Sequence, residues 1–184
     1  MTILLLNICK EKLHYFEFVK PIERILKEKE IDFYTKHYSK FTDKDLKADK
    51  IIICGTSLKD NDYLKNPNLF KWVGFYKKPI LGICAGAQIL CKHFKGNLIE
   101  KNEIGLNNVE FKKEFLGATS GSEEVYSLHN LSLDVDDSEF DSIAFSNNSK
   151  TIQAIKHKEK PIYGVLFHPE VRNEEIILEF SSLD

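Results

Sequence analysis

The stretch Pro79-Ile80-Leu81-Gly82-Ile83-Cys84-Ala85-Gly86-Ala87-Gln88-Ile89-Leu90 decides the fold. Ile80 to Ile83 form a short apolar run that reads as a buried strand, and the residues from Ala85 onward read as the start of a helix. Cys84 therefore stands on the corner between them. Gly82 and Gly86 flank it at i−2 and i+2, the spacing of a nucleophile elbow, where a sharp, strained turn demands small neighbours. Such a corner is expected to project the sulfur out of the sheet toward solvent. The helix N-terminus beneath it would lower the thiol pKa and offer backbone N–H groups to an oxyanion. Taken alone, a cysteine here is equally a small buried hydrophobe.

A second stretch, Lys160-Pro161-Ile162-Tyr163-Gly164-Val165-Leu166-Phe167-His168-Pro169-Glu170, runs from an apolar strand into His-Pro-Glu. A cysteine nucleophile needs a base, and the base needs a third group to fix its tautomer. His168 and Glu170 supply both at i and i+2, and in an extended segment they would share a face. Pro169 fixes φ between them and biases His168 away from helix.

Around these motifs, strands and helices alternate through the first half. Residues 2–8 read as a strand, 11–30 as one helix, 31–36 and 50–54 as further strands, and 64–76 as a helix interrupted by Pro67. From about Gly96 the texture changes to short strand-like pieces at 105–111, 124–129, 142–145 and 151–156, and a helix over 174–180 closes the chain. The pattern predicts an α/β fold: a mainly parallel open sheet with helices on both faces and an antiparallel extension curled toward the active-site side. No repeat or linker divides residues 1–184, so one domain is expected. In such sheets the ligand site lies beyond the carboxyl ends of the strands, where both Cys84 and the turn Cys54-Gly55-Thr56 fall.

Composition narrows the function classes. A chain of 184 residues buries about 70% of its unfolded surface, and its 42% hydrophobic and 29% charged residues are those of a globular protein. A net charge of −2 supplies no electrostatic reason for a nucleic-acid or anionic-membrane partner. No apolar run approaches the roughly 20 residues of a membrane span, and the N-terminus lacks a signal peptide's basic start. The four cysteines, Cys9, Cys54, Cys84 and Cys91, have no zinc-site spacing and suit a reduced, cytoplasmic setting. No metal site is expected.

The two motifs resemble those of the class I (triad-type) glutamine amidotransferases, whose usual forms are Gly-Ile-Cys-Leu-Gly-His-Gln and Gly-Val-Gln-Phe-His-Pro-Glu. The resemblance extends over essentially the whole chain and implies a flavodoxin-like sheet. It also implies that Cys84 is the nucleophile, His168 the general base and acid, and Glu170 the carboxylate that orients His168. Gln88 would help hold the substrate, L-glutamine. The backbone N–H groups of Gly55 and Ala85 would form the oxyanion hole. Tyr126-Ser127-Leu128-His129-Asn130 stands where the family has a segment near the glutamine and the synthetase interface. Ser127, Leu128 and His129 are therefore implied substrate-binding residues, although His129 read by itself is equally a surface strand residue. Three positions depart from the usual pattern: Ala85 for Leu, Ala87 for His or Met, and Leu166 for Gln.

Such domains pass ammonia to a synthetase. This chain has neither a phosphate-binding Gly-x-x-x-x-Gly-Lys-Ser/Thr loop nor an ATP-pyrophosphatase loop. The resemblance thus implies a separate ATP-dependent synthetase subunit, with no cofactor in this chain and ATP and Mg only in the partner. Among subfamilies, the archaeal-type glutaminase subunit of GMP synthase is most similar, on residues 155–165 and length. A paralogue serving another synthetase, a stand-alone γ-glutamyl hydrolase and a non-catalytic glutamine sensor are the alternatives.

Overall fold

A computed structural model describes residues 1–183 of the chain. One mixed sheet of nine strands runs through it, in the order β2-β1-β3-β4-β9-β8-β6-β5-β7. Five strands form its parallel half: β1 (Ile3–Asn7), β2 (Phe33–His37), β3 (Lys50–Ile53), β4 (Ile80–Ile83) and β9 (Ile162–Val165). The apolar runs of β1, β3 and β4 have a direct cause. Ile3, Leu5, Ile52, Leu81 and Ile83 face one core, while Leu4, Leu6, Ile51, Ile53 and Ile80 face a second core on the opposite side. A strand buried on both faces cannot alternate with polar residues.

Helices cover both faces, as expected. The first core takes its cover from α1 (Lys12–Phe18), α2 (Lys20–Glu28) and α5 (Glu174–Ser182), through Phe18, Ile22, Ile25, Ile177 and Phe180. The second takes it from α4 (Ala85–His93) and a 3₁₀ run over Pro67–Gly74, through Leu90, Phe70 and Val73. The single helix expected over 11–30 is two. Val19 separates them, and Pro21 in the first turn of α2 has no N–H to bond back to Glu17, so the first helix cannot propagate. The helix expected over 64–76 is likewise a single turn, α3 (Asp62–Lys65), followed by the 3₁₀ run, which begins at Pro67.

The expected open sheet needs a larger correction. The antiparallel half comprises β5 (Asn97–Phe111), β6 (Gly121–Asp134), β7 (Phe140–Ser146) and β8 (Ile152–His157). β5 pairs with β6, β6 with β8, β8 with β7 and β7 with β5, so these four strands close into a small barrel. The barrel joins the parallel half through the β8–β9 pairing. Its long hairpin, 15 and 14 residues, extends well beyond the short pieces that local periodicity delimits.

Candidate active site

Cys84 sits between β4 and α4 with φ 49° and ψ −104°, a region that L-residues occupy only under constraint. The two flanking glycines make the turn possible. A Cβ on Gly82 would lie 2.7 Å from the Ala87 nitrogen, and one on Gly86 would run into the Ile53 carbonyl oxygen. The elbow therefore packs backbone directly against backbone, which holds the strained cysteine in place. The sulfur is not exposed as expected from the corner alone: Cys84 is 3% accessible. Its Sγ lies 3.5 Å from the Leu128 carbonyl oxygen on β6, so the barrel covers the elbow.

His168 and Glu170 come together on a turn and not on an extended segment. Val171 N–H donates to the His168 carbonyl across that turn, and His168 Nδ1 lies 2.7 Å from Glu170 Oε1. Both residues are almost wholly buried. The turn is tied to β6 at three points: the His168 N–H donates to the Tyr126 carbonyl, Asn173 Nδ2 donates to the Glu124 carbonyl, and Arg172 pairs with the Glu124 carboxylate. Phe18 packs on the imidazole with ring centroids 5.3 Å apart.

The cysteine and the histidine converge over Gly55. A methyl at that position would lie 2.7 Å from His168 Cε1 and 3.6 Å from Cys84 Cβ, so only glycine fits at the end of β3. Burial disfavours a charged imidazole ring here. The Glu170 carboxylate and the Cys84 sulfur outweigh it and hold the His168 pKa well above the ordinary histidine value. His168 Nε2, the ring nitrogen that Glu170 does not engage, is buried and is the one left to exchange a proton with the sulfur or a reacting group. A thiol, an imidazole that favours the charged form and a carboxylate behind it are the parts of an acyl-transfer site.

The cavity beside Cys84 is small, about 10 Å³, and is lined by Thr56, Ser57, Leu58, Asn61, Tyr63, Cys84, Ala85, Gln88, Leu128, His129 and Asn130. Five of the residues singled out from sequence thus line one cavity: Cys84, Ala85, Gln88, Leu128 and His129. Gln88 is not loose in the cavity. Its Oε1 accepts from the Tyr63 hydroxyl and its Nε2 donates to the Leu131 carbonyl at 3.0 Å. Ser127 is fully buried, is not among the lining residues, and has a hydroxyl without a partner.

His129 is not a surface strand residue. It is 1% accessible, and its Nε2 lies 3.3 Å from Glu103 Oε2 inside the barrel. Glu103 also receives Asn107 Nδ2 at 3.0 Å and Gln153 Nε2 at 2.7 Å. Burial raises the Glu103 pKa, but hydrogen bonds from His129, Ser146 and Ser149 pull it down to about 2.

Sequence reasoning missed Tyr63, Thr56, Asp60 and Glu103. The first three lie in polar loops or a one-turn helix and meet their partners only across the fold. For Glu103 a signal existed in the alternation Glu103-Ile104-Gly105-Leu106-Asn107. Its polar positions, not its apolar ones, turn inward: Ile104 and Leu106 are 62% and 61% exposed. Among the described residues no group of three or more His, Cys, Asp or Glu is placed to hold a metal ion. No helix among them is long and apolar enough to cross a membrane.

Comparison with known proteins adds the following. The family model for glutamine amidotransferase class-I matches residues 14–178. A relative from Methanococcus aeolicus, named as a glutamine-hydrolysing GMP synthase subunit, is 38% identical over 111 residues, covering 54% of this chain and 54% of its own length. The chain spans about half the length of the curated relatives it matches, 54% and 57% for two archaeal examples. A crystal structure from Thermoplasma acidophilum superposes with a TM-score of 0.86 at 24% identity, covering 98% of this chain and 92% of that one. A glutamine amidotransferase structure from Thermotoga maritima superposes with a TM-score of 0.71 at 18% identity, covering 100% and 86%.

Proposed function

The chain belongs to the glutamine amidotransferase class-I family, and from that premise we propose that it hydrolyses L-glutamine to glutamate and ammonia with Cys84, His168 and Glu170 as its triad. One observation supports the assignment of roles above all others. Cys84, at a positive φ on the elbow, and His168, bonded at 2.7 Å to Glu170, close on the same glycine.

In the proposed reaction the Cys84 thiolate attacks the side-chain carboxamide carbon. The C–S bond forms as the carbonyl electrons move onto oxygen, where the backbone N–H groups of Gly55 and Ala85 receive the negative charge. His168, charged at Nε2, gives its proton to the departing nitrogen as the C–N bond breaks, releasing ammonia and leaving a γ-glutamyl thioester. His168 then takes a proton from water, the hydroxide attacks the thioester, and glutamate leaves with the thiolate regenerated. Glu170 holds Nδ1–H throughout and stabilises the imidazolium. Gln88, braced between Tyr63 and Leu131, shapes the substrate pocket, and the Leu128–His129 segment forms its opposite wall. Ser127 would act there only through its backbone.

The acceptor of the ammonia is a separate ATP-dependent synthetase subunit, with ATP and Mg bound there and not in this chain. The name of the Methanococcus relative favours GMP synthase over other synthetases as the source of that partner. The four free cysteines suit a reducing cytoplasm. Glutamate release from glutamine, measured with and without a GMP synthase ATP-pyrophosphatase subunit, tests the reading, with Cys84→Ala as control. Cys84-dependent turnover that rises with the synthetase subunit is expected. Turnover indifferent to that subunit would overturn the partner, and no turnover in either state would overturn the activity.

A further inference from the structure

The turn after β3 contains no proline, so nothing covalent fixes its backbone, yet the cavity needs it in one place. Two side chains hold it. On one side Cys9 Sγ lies 3.7 Å from the Gly55 carbonyl oxygen. On the other, the Thr56 hydroxyl donates to Asp60 Oδ2 at 2.7 Å. The same carboxylate oxygen accepts the Lys10 backbone N–H at 3.0 Å and lies 2.7 Å from His14 Nδ1 on α1. Thr56 and Asp60 are 3% and 4% accessible, so these bonds are made away from competing water. Burial opposes the charge on Asp60, but the hydrogen bonds from Thr56, Lys10 and His14 outweigh it and keep its pKa below the ordinary carboxylate value.

We propose that Asp60 is a positioning residue for glutamine hydrolysis: through the Thr56 hydroxyl it anchors the Gly55-Thr56 turn to α1 and so holds the Gly55 N–H against the oxygen of the carbonyl that Cys84 attacks. The inference rests on the reading that Gly55 supplies an oxyanion donor. Asp60 touches neither the sulfur nor the imidazole. Its effect is therefore on where the donor stands when charge develops, a placement worth large factors in rate. The alternative is that Asp60 only ties α1 to the body of the fold.

Thr56→Val keeps the volume of the side chain and removes the hydroxyl, and Thr56→Ser restores it. Steady-state glutamine hydrolysis, thermal melting and the rate of Cys84 alkylation by iodoacetamide are measured for both, in the full chain with the synthetase subunit present. Alkylation needs the thiolate but no oxyanion donor. Thr56→Val is expected to lower kcat about 10- to 100-fold, with KM, melting and alkylation near wild type and with Thr56→Ser recovering most of the rate. Asp60→Asn added to Thr56→Val should cost less than it costs alone, because the link is already cut. A Thr56→Val enzyme with wild-type kcat, or one whose loss follows its melting temperature or a slowed alkylation, would overturn the inference while leaving the triad intact. Failure of the glutaminase reading looks different: the wild-type chain itself shows no Cys84-dependent hydrolysis.

Discussion

The parallel half of this molecule buries almost only apolar side chains, whereas the barrel buries a polar cluster beside apolar residues such as Val109, Phe111, Val125 and Ile143. In β1, β3 and β4 nearly every residue is apolar and fully buried, and Gly82 in β4 is there to let the elbow close. That polar cluster is Glu103, Asn107, His129, Ser146 and Gln153, in which one carboxylate accepts from neighbours on several strands. The proposed glutaminase chemistry would require the contrast. The strained cysteine must be locked by close packing, which apolar strands and backbone contacts supply. The cavity wall opposite it is set by a strand, β6, whose register the buried network holds from behind.

Predictions that test this division run from the reacting sulfur outward. Cys84→Ala should lower glutamine hydrolysis by about 10⁴-fold or more, with a melting temperature close to wild type. A stable variant that still turns over would break the assignment of chemistry to the parallel half. Glu170→Gln keeps the nucleophile and degrades only the orientation and charge of His168, so initial rates should fall about 10²- to 10³-fold.

Steric precision at the elbow comes next. Gly86→Ala places a methyl on the Ile53 carbonyl, and equilibrium denaturation should show a loss of about 2 to 4 kcal/mol. A neutral result would mean that the elbow tolerates a shift of α4 away from β3.

The barrel is probed by acid. Glu103 has a carboxyl near 4.5 in the unfolded chain and about 2 in the fold, so its contribution is complete above the unfolded value and lost as pH falls through the interval between the two. Urea unfolding of wild type and Glu103→Gln should therefore diverge by about 3 kcal/mol at neutral pH and converge near pH 2. Parallel curves would show that the network is held by packing and not by its charge. Smallest of all, Ile104→Lys should change stability by no more than about 0.5 kcal/mol, since that side chain faces solvent.

Local sequence was legible where one physical demand acted alone. Apolar runs marked β1, β3 and β4 because strands buried on both faces leave no room for alternation. The elbow was legible because a strained strand-to-helix corner excludes Cβ atoms two positions away. His168 and Glu170 were legible as a pair, though a turn and not an extended segment brings them together. The 11–30 helix misled because its hydrophobic spacing continues through Val19, while Pro21 had already removed the bond that continuity needs. The barrel was less legible still. The first part of β5 carries an inverted pattern, with Ile104 and Leu106 outward and Glu103 inward, while Val109 and Phe111 further along are buried, so alternation located strands without revealing which face was buried.

The sequence by itself determined the strand-corner-helix carrying Cys84, the His-Pro-Glu segment and the parallel half, because each follows from contacts a few residues apart or from burial on both faces. Only the tertiary structure decided that the antiparallel strands close into a barrel, that Leu128 roofs the sulfur, and that Asp60 reaches Thr56, His14 and Lys10 at once. Those contacts join residues up to 50 positions apart, such as Lys10 and Asp60 or Gln153 and Glu103. A buried polar side chain takes whichever partner the folded backbone brings within hydrogen-bond reach, and no local pattern specifies that choice.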